Sequence, residues 1–526
     1  KIMIKEKLKG IFGTKLAIVS TVIVLTWQIL FFALGAAIFK NMWNSSPAFP
    51  IVCGIFSILP LVFQIINLFV LKQNRLYKYL IAISVLFMIG YFCFFAFVLS
   101  KLSYFLIAGT PYFITIGIIA IIAFFIFVFP NCSKLAKKIV AISFVVITLL
   151  FSILFLFDCT PFYLENSATV FTIDDEYQIA FSTSHKSTGA IEISGKTYYD
   201  QTNGQNNISK LHKITVPAGE LDRAKSYSII TQGVPVNTAY LPSKGSTIKK
   251  SYPFRAVDER DGIQIYNLSD THECITGPAN AGSWFGDKLD LLILNGDIVN
   301  DISSQGQIAS IYKLAHKITG GSVPVIYTRG NHECNGSLAN DFGKYVGCAE
   351  RGFYYQVKIG STLSMLVLDT NNDMSDNNHL LNPIANFNAI RKEESNWIRE
   401  NSNWGDGFTH SFVISHMAYP LSGYLKDSCP WHEWAKELIN LTDKQTDLAI
   451  CGHSHRTDFI EPNTEDNAVA SFPVLRGSLR SNKYSDREGA TPFEFTGTAI
   501  EIIGNNINIK YTNAKKVIMK EFNITK

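Results

Sequence analysis

Five apolar runs without a charged side chain follow one another in the first 160 residues of this 526-residue chain. Each run is close to the roughly 20 residues that an α-helix needs to cross a bilayer. The hydrocarbon core admits only helices and closed barrels as spanning structures. The runs lie at about residues 16–39, 49–71, 79–99, 104–129 and 139–157. We therefore expect residues 1–160 to form an α-helical membrane domain with five transmembrane helices.

Basic residues at the ends of these runs predict how the helices are oriented. Lys and Arg are retained on the cytoplasmic side of a membrane. They cluster before the first run and in the second and fourth connections, whereas the first and third connections hold only Lys40 and Lys101. The amino terminus is therefore predicted to be cytoplasmic, and everything after Asp158 to lie outside the cytoplasm. No ionisable residue lies within the runs, which favours anchoring or contact with lipid over transport.

The charge of the chain divides at the same place. All 11 histidines, 34 of the 47 basic residues and 41 of the 43 acidic residues follow residue 160. The outer part is thus acidic and has no basic patch of the kind that binds nucleic acid, so we expect no nucleic-acid partner.

Two further domains are predicted after the membrane part. Short alternating runs between Gly, Asn and Ser turns predict a small β-sandwich of the fibronectin or immunoglobulin kind over residues 161–247, ending in a linker at 241–247. Over residues 248–526, strand patterns alternate with helical ones, which predicts an α/β sandwich. Its strands are expected at 262–268, 290–295, 323–328, 353–359, 362–368, 410–415 and 446–450, its helices at 307–319, 388–401 and 432–441, and a closing hairpin at 498–511.

Candidate metal ligands follow the ends of five predicted strands, where α/β sheets hold their ligands. Taken alone, Asp270-Thr-His272 would be interpreted as an ordinary polar turn. It is, however, the first of a series of residues that can bind metal ions. The series comprises Asp270, His272, Asp297, Asn331, His332, His416, His453 and His455. Carboxylate, imidazole and amide groups suit Mn, Fe, Zn or similar ions, and two such ions about 3.5–4 Å apart can clamp an in-line displacement. The pattern favours a two-metal hydrolase.

These residues carry a family resemblance over about residues 260–480. Asp270-x-His272, Gly296-Asp297, Gly330-Asn-His-Glu333, His416 and Gly452-His-x-His455 resemble, in order, the five blocks of the calcineurin-like metallophosphoesterase superfamily. The resemblance implies the α/β metallophosphoesterase sandwich as the fold of the last domain. It also implies two divalent or trivalent metal ions and a metal-bound hydroxide as the attacking group.

The resemblance also implies a role for each residue. Asp270, His272 and His455 would hold the first metal, Asn331, His416 and His453 the second, and Asp297 would bridge them as a ligand and catalytic residue. His332 would stabilise or protonate the leaving oxygen, a role that suits imidazole near neutral pH.

The sequence differs from two known subfamilies of this superfamily at specific positions. A β-sandwich before the catalytic domain resembles purple acid phosphatases, but those place a tyrosine ligand where this chain has Asn300. Protein Ser/Thr phosphatases share a block like Arg329–Glu333 but follow the Gly-Asp block with Asp-Arg-Gly, where Asn300-Asp301-Ile302 stands here. We expect neither an iron-tyrosinate site nor a phosphoprotein substrate.

A few other residues are weaker candidates. Arg329 and Arg476 could hold phosphate oxygens bidentately or be ordinary surface arginines. The aromatic residues Tyr424, Trp431 and Trp434 could line a substrate pocket, approach lipid or pack in the core. Cys334 and Cys348 could form a disulfide or remain buried free thiols.

The function expected from the sequence is that of a membrane-anchored, outward-facing, binuclear metal-dependent phosphoesterase that hydrolyses phosphomonoesters or phosphodiesters. Two alternatives remain open. One is a hydrolase of the same chemistry that processes lipid phosphates presented by the helices. The other is a non-catalytic membrane receptor with a metal site.

Overall fold

The computed structural model describes residues 162–234, 245–478 and 495–526. The five predicted transmembrane runs and most of the predicted linker lie outside these residues. Within the described part, no helix has the length and apolar character needed to span a bilayer. Phe162–Gly233 and Gly245–Lys526 form one compact unit.

Twenty strands and five α-helices occur in the described residues. The strands are β1 (Thr169–Ile173), β2 (Glu176–Ile193), β3 (Lys196–Tyr199), β4 (Gln201–Thr202), β5 (Gln205–Asn206), β6 (Ser209–Pro217), β7 (Ser226–Gly233), β8 (Thr247–Pro253), β9 (Ile263–Leu268), β10 (Leu291–Asn295), β11 (Pro324–Thr328), β12 (Tyr355–Ile359), β13 (Leu363–Leu368), β14 (His410–Ser415), β15 (Leu448–Cys451), β16 (Asp458–Ile460), β17 (Val474–Arg476), β18 (Thr496–Ile503), β19 (Asn506–Asn513) and β20 (Ile518–Thr525). The helices are α1 (Ala218–Ala224), α2 (Thr276–Gly282), α3 (Gln305–Thr319), α4 (Phe387–Glu400) and α5 (His432–Thr442).

Two large sheets form the framework. The first has twelve strands in the order β20-β19-β18-β9-β10-β11-β1-β2-β7-β8, with β3 and β6 also paired to β2. The second has six, in the order β12-β13-β14-β15-β17-β16. Strands β9, β10, β11 and β1 run parallel, as do β13, β14, β15 and β17. Within each sheet, the strands that precede the candidate ligands therefore have their carboxyl ends at the same edge.

Alternating side chains show how the second sheet packs. In β13, Met365 and Val367 belong to the core shared with the first sheet. Their neighbours Leu366 and Leu368 belong to a second core, to which α4 and α5 contribute residues such as Leu438. Because successive side chains in a strand point to opposite faces, this sheet lies between the first sheet and two helices. The predicted α/β sandwich is confirmed.

Helix α3 covers the first sheet and has defined ends. The Ser304 side chain accepts a hydrogen bond from the backbone of Gln307, whose own side chain returns to the Ser304 backbone. This capping box satisfies backbone donors that a helix start leaves unpaired. The helix stops at Gly320, which has a φ of 62° that glycine adopts without strain.

The predicted β-sandwich over residues 161–247 is not a separate layer pair. Strand β1 pairs in parallel with β11, with Val170 opposite Pro324 and Phe171 opposite Val325. On its other edge β1 pairs with β2, so strands β1–β3 and β6–β8 continue the first sheet. Phe171 packs in the main core against Tyr312 and Tyr327. The local strand patterns gave no sign of this pairing, because its partner lies about 150 residues further along the chain.

A buried Ser–His–Asp set lies in this extension. The Ser187 hydroxyl is 3.0 Å from Nε2 of His212, and Nδ1 of His212 is 2.7 Å from Oδ2 of Asp200. Ser187 and His212 are both fully buried, so the hydroxyl cannot meet a substrate. Ser187 follows an irregularity in the pairing of β2 with β6. These three side chains therefore stabilise the long strand β2 next to the shift in its pairing with β6.

The five described cysteines, Cys334 and Cys348 among them, are all free thiols.

Candidate metal centre

The candidate ligands lie on loops with unusual backbone conformations. Asp270 and His272 follow β9 with φ values of 56° and 47°, and Asp297 follows β10 with a φ of 51°. His453 and His455 follow β15 with φ values of 66° and 51°. Each left-handed non-glycine residue costs on the order of 1–3 kcal/mol and persists only where its surroundings hold it. Such residues cluster at functional sites, and five of them meet here.

Glu333 holds two of these loops in place. Its buried carboxylate accepts hydrogen bonds from the backbone N–H groups of Asp297 at 2.9 Å and Gly330 at 2.9 Å. It also accepts from Ile298 at 2.7 Å and Val299 at 3.2 Å. Gly330 has no room for a side chain, because a Cβ there would collide with the backbone and side chain of Asp297. In the sequence, Glu333 was only the last residue of a motif. Its role could not be predicted, because it depends on a contact with Asp297, which lies 36 residues earlier.

The first group of ligands combines loops after β9 and β15. Nε2 of His455 is 3.4 Å from Oδ1 of Asp270 and 3.4 Å from Nε2 of His272. The ligand atoms of these three side chains lie within 4.8 Å of one another. Nδ1 of His272 is 3.2 Å from Oδ1 of Asn300. When Nδ1 donates that hydrogen bond, Nε2 offers its lone pair to the group.

The second group forms on the other side of Asp297. Asp297, His416 and His453 also place ligand atoms within 4.8 Å of one another, with Nε2 of His416 3.2 Å from Oδ2 of Asp297. Oδ1 of Asn331 lies 2.9 Å from Nδ1 of His453. Nδ1 of His416 is 2.8 Å from the carbonyl oxygen of Asn295, which turns Nε2 toward the group.

Asp297 is common to both sides of the centre. Its Oδ2 atom is 4.0 Å from Nε2 of His272 and 3.9 Å from Nε2 of His332. Its Oδ1 atom accepts a hydrogen bond from the His332 backbone at 3.0 Å. The structure thus brings together all seven ligands predicted from the sequence, with His332 beside them.

The electrostatics of the centre fit cations. Burial, more than the neighbouring Asp297 carboxylate, raises the pKa of Asp270 to about 7. Burial also acts to raise the pKa of Asp297, but the imidazoles of His416 and His332 outweigh it and hold that pKa below its usual value. Burial opposes protonation of His416, yet Asp297 and Asp270 raise its pKa to about 10. Two buried carboxylates therefore draw positive charge into this site.

Two buried atoms add to this fit. Oδ1 of Asp270 and Nε2 of His416 have no hydrogen-bond partner among the described residues. Buried polar atoms are nearly always paired, so two unpaired ones among these side chains fit a site that holds a cation. Burial, with help from His416, lowers the pKa of His453 to about 4, which keeps this imidazole neutral. Neutral imidazole and carboxylate are the forms that bind metals.

The two candidate substrate arginines each pair with a carboxylate. Arg329 contacts both carboxylate oxygens of Asp369, from Nε at 3.2 Å and from Nη2 at 2.5 Å. Arg476 donates to Oδ2 of Asp458 at 2.6 Å. Bidentate pairing occupies the fork that a phosphate would need, so the geometry gives Arg329 a structural task.

Comparison with known proteins identifies the part of the chain that carries this centre. Residues 263–457 match the family model of the calcineurin-like phosphoesterases. They form a calcineurin-like phosphoesterase domain. The domain makes this chain a metal-dependent phosphoester hydrolase. The family match spans less than half of the chain and excludes strands β1–β8 and β16–β20.

Solved structures similar to the chain are distant in sequence. A purple acid phosphatase from yellow lupin (Lupinus luteus) seeds is 12% identical, covering 68% of this chain and 74% of its own, with a TM-score of 0.44. The structure of PhoD is 11% identical, covering 69% and 90%, with a TM-score of 0.42. A predicted phosphoesterase from Streptococcus pneumoniae is 12% identical, covering 50% and 98%, with a TM-score of 0.25. A search of curated proteins found none that matches this sequence.

Proposed function

We propose that the phosphoesterase domain holds two metal ions, with Asp297 as the bridging ligand, and hydrolyses phosphomonoesters or phosphodiesters. One observation carries the proposal. Oδ2 of Asp297 lies 4.0 Å from Nε2 of His272 on one side and 3.2 Å from Nε2 of His416 on the other. A single carboxylate oxygen between two ligand groups is the arrangement that a pair of cations requires.

The residues of the centre would have different roles in the reaction. Asp270, His272 and His455 would hold one ion, Asn331, His416 and His453 the other, and ions such as Mn, Fe or Zn would supply Lewis acidity and an activated water. Asp297 belongs to both sets. His332 has a side chain that is 40% exposed, and its Nε2 atom is 3.9 Å from Oδ2 of Asp297. It can therefore meet the leaving oxygen of an ester bound at the centre and give it a proton.

We also propose that the domain is anchored to a membrane and faces away from the cytoplasm. The support is the series of five uncharged apolar runs between residues 16 and 157, and the alternation of basic residues in their connections. One such span already gives effectively irreversible anchoring.

The experiment compares the whole protein, purified in detergent, with its Asp297→Asn variant. Wild-type protein loaded with Mn, Fe or Zn should hydrolyse p-nitrophenyl phosphate or bis(p-nitrophenyl) phosphate, and elemental analysis should find two ions per chain. Asp297→Asn should lose turnover and retain fewer ions. Asp287→Asn, at an exposed position near the start of β10, is the matched control and should behave as wild type. Two bound ions and normal turnover in Asp297→Asn would show that Asp297 does not bridge them.

A further inference from the structure

A tyrosine lies beside the second ligand group, and its hydroxyl makes no hydrogen bond to the described residues. Tyr424 ends a 3₁₀ turn, Ser422–Tyr424, in the loop that follows His416. Its ring centroid is 6.4 Å from that of His453, with the ring planes at 53°. The turn is anchored from the neighbouring loop, since the Ser422 backbone and hydroxyl donate to the carbonyl oxygens of Asp466 at 2.8 Å and Glu465 at 2.7 Å.

Aromatic packing fixes the position of the Tyr424 ring. Trp431 stacks on it with centroids 5.2 Å apart and planes at 21°. Trp431 in turn packs edge-on against Trp434 at 5.8 Å. The guanidinium of Arg391 lies 5.7 Å from the Trp431 ring and 5.5 Å from the Trp434 ring. Stacking and cation–π contacts of this kind favour one orientation of the rings.

The same packing is connected to the ligands of the second group. Nη2 of Arg391 donates to the carbonyl oxygen of Asn372 at 2.8 Å. The Asn372 side chain lies 3.4 Å from the carbonyl oxygen of Asn331. A chain of contacts through Trp431, Arg391 and Asn372 therefore connects Tyr424 to Asn331.

The Tyr424 hydroxyl is available to a ligand. Tyr424 is half-buried, and within the described residues its hydroxyl has no hydrogen-bond partner. Tyr419, five residues earlier in the same loop, differs because its hydroxyl is 2.8 Å from Oγ1 of Thr442. A phenolic hydroxyl carries its proton at neutral pH, so it can act as a donor.

Tyr424 and His332 border different parts of the centre. The His332 ring packs against His272 of the first group, with centroids 4.7 Å apart, whereas Tyr424 borders His453 of the second. If His332 serves the leaving oxygen, the group at the Tyr424 side is the phosphoryl group itself. Its non-bridging oxygens are anionic acceptors that suit a phenolic donor.

We propose that Tyr424 is a substrate-binding residue whose hydroxyl donates a hydrogen bond to a non-bridging phosphoryl oxygen. The proposal rests on the phosphoesterase function proposed above. Trp431 holds the ring, and the hydroxyl makes the contact. The probe is inorganic phosphate, which carries the same oxygens and can be measured without turnover.

The test compares Tyr424→Phe with Tyr419→Phe in the whole, metal-loaded protein. Titration calorimetry measures phosphate affinity, and p-nitrophenyl phosphate gives kcat/KM. Tyr424→Phe should lower both by roughly tenfold to a hundredfold, the usual effect of one hydrogen bond to a charged group, with the melting temperature and metal content unchanged. Tyr419→Phe removes an internal hydrogen bond, so it should lower the melting temperature and leave phosphate affinity as in wild type.

The outcomes separate this proposal from the function on which it rests. Phosphate affinity in Tyr424→Phe equal to that of wild type would overturn the proposal, and loss of stability in Tyr424→Ala alone would then assign the ring a packing role. If wild type binds phosphate but cleaves no ester, the phosphoesterase function fails while the Tyr424 contact is still decided by affinity. Wild-type protein that binds no phosphate would overturn both.

Discussion

Nδ1 of His332 lies 2.7 Å from the backbone carbonyl oxygen of Asn300. A carbonyl only accepts, so Nδ1 carries a hydrogen and Nε2, on the side of Asp297, is the atom that can hold or release a proton. The Asn300 carbonyl thus orients the histidine that we propose faces the leaving group.

His332→Ala should keep the metals but lose activity by about 10²–10⁴-fold, the usual contribution of general acid catalysis. The loss should be larger for alkyl phosphates than for p-nitrophenyl phosphate, because nitrophenolate leaves without needing a proton. Comparing kcat/KM for the two ester classes checks this. Equal losses for both would remove the acid role.

Glu333→Ala should lower the free energy of unfolding by roughly 3 kcal/mol or more, because it leaves four buried backbone N–H groups without an acceptor. The left-handed conformation at Asp297 would lose its support, so metal content should fall as well. Chemical denaturation with elemental analysis measures both. Glu461→Ala, at an exposed position, is the control. An unchanged metal content in folded Glu333→Ala would show that other contacts hold the loop.

Glu394→Gln should make stability less dependent on pH. Burial, with Asp369 adding, raises the pKa of Glu394 well above its usual value. Because the unfolded chain ionises this group at lower pH than the folded protein does, wild type loses stability as pH rises above the unfolded pKa of about 4.3. Gln can still accept the hydrogen bond from the Asp369 backbone, which is 2.9 Å in the structure.

The variant should therefore gain stability relative to wild type at pH 7 but not at pH 4. Thermal melts at the two pH values measure the difference. The exposed neighbour Glu393→Gln should show no such trend. A constant difference between Glu394→Gln and wild type across this range would contradict a raised pKa.

A fragment that starts at residue 162 should fold, whereas one that starts at residue 248 should not. The shorter fragment lacks strand β1, which pairs with β11, and it lacks Phe171, which packs in the core. Circular dichroism melts should show a single cooperative transition for residues 162–526 only. Cooperative unfolding of residues 248–526 would mean that the extension is a separate folding unit after all.

The fragment of residues 162–526 should also hydrolyse soluble phosphate esters about as well as the whole protein does with the same metals. All predicted ligands lie within it, and the apolar runs lie outside. Phosphatidic acid in mixed micelles is the second substrate. Rapid cleavage of this lipid by the whole protein alone would favour the lipid-processing alternative.

The charge pattern of the apolar runs predicts that protease added to intact cells releases the catalytic part. Antibodies against the two ends of the chain would follow the products. The amino-terminal end should stay protected, because the most basic segment precedes the first run. Full protection of the catalytic part would reverse the predicted orientation.

That the candidate ligands lie together at one site could be predicted because their signal is local. Each follows a buried strand by one or a few residues, as Asp297 follows Leu291–Asn295, and the residue type itself states the chemistry. Strand and helix positions in the catalytic part were predicted for the same reason. Helix α3, for example, was expected at 307–319 and spans Gln305–Thr319.

What could not be predicted depends on contacts between distant parts of the chain. Strand β8 was not predicted, because its exposed Lys249 and Lys250 show no apolar alternation. Strand β2 contains two separate apolar alternations, at residues 177–181 and 190–193, so its sequence does not indicate one long strand across the register shift that precedes Ser187. Arg329 was a candidate for phosphate binding or for an ordinary surface position, and neither interpretation included its pairing with Asp369, which lies 40 residues later. Pairings at such distances leave no trace in a short window of sequence.

The strand order also determines how long one edge of β9 stays unpaired while the chain is being synthesised. β9, which carries Asp270 and His272 at its end, has β18 as its outer neighbour, and Asn267 pairs with Thr498 more than two hundred residues later. At about 5–20 residues per second, the ribosome needs roughly 10–50 s to make the intervening chain. During that interval one edge of β9 is open to pairing with other chains. A ribosome that stalls before Thr496 therefore leaves a nascent chain with every ligand made and its sheet unclosed, which is the stage at which a chaperone has most to protect.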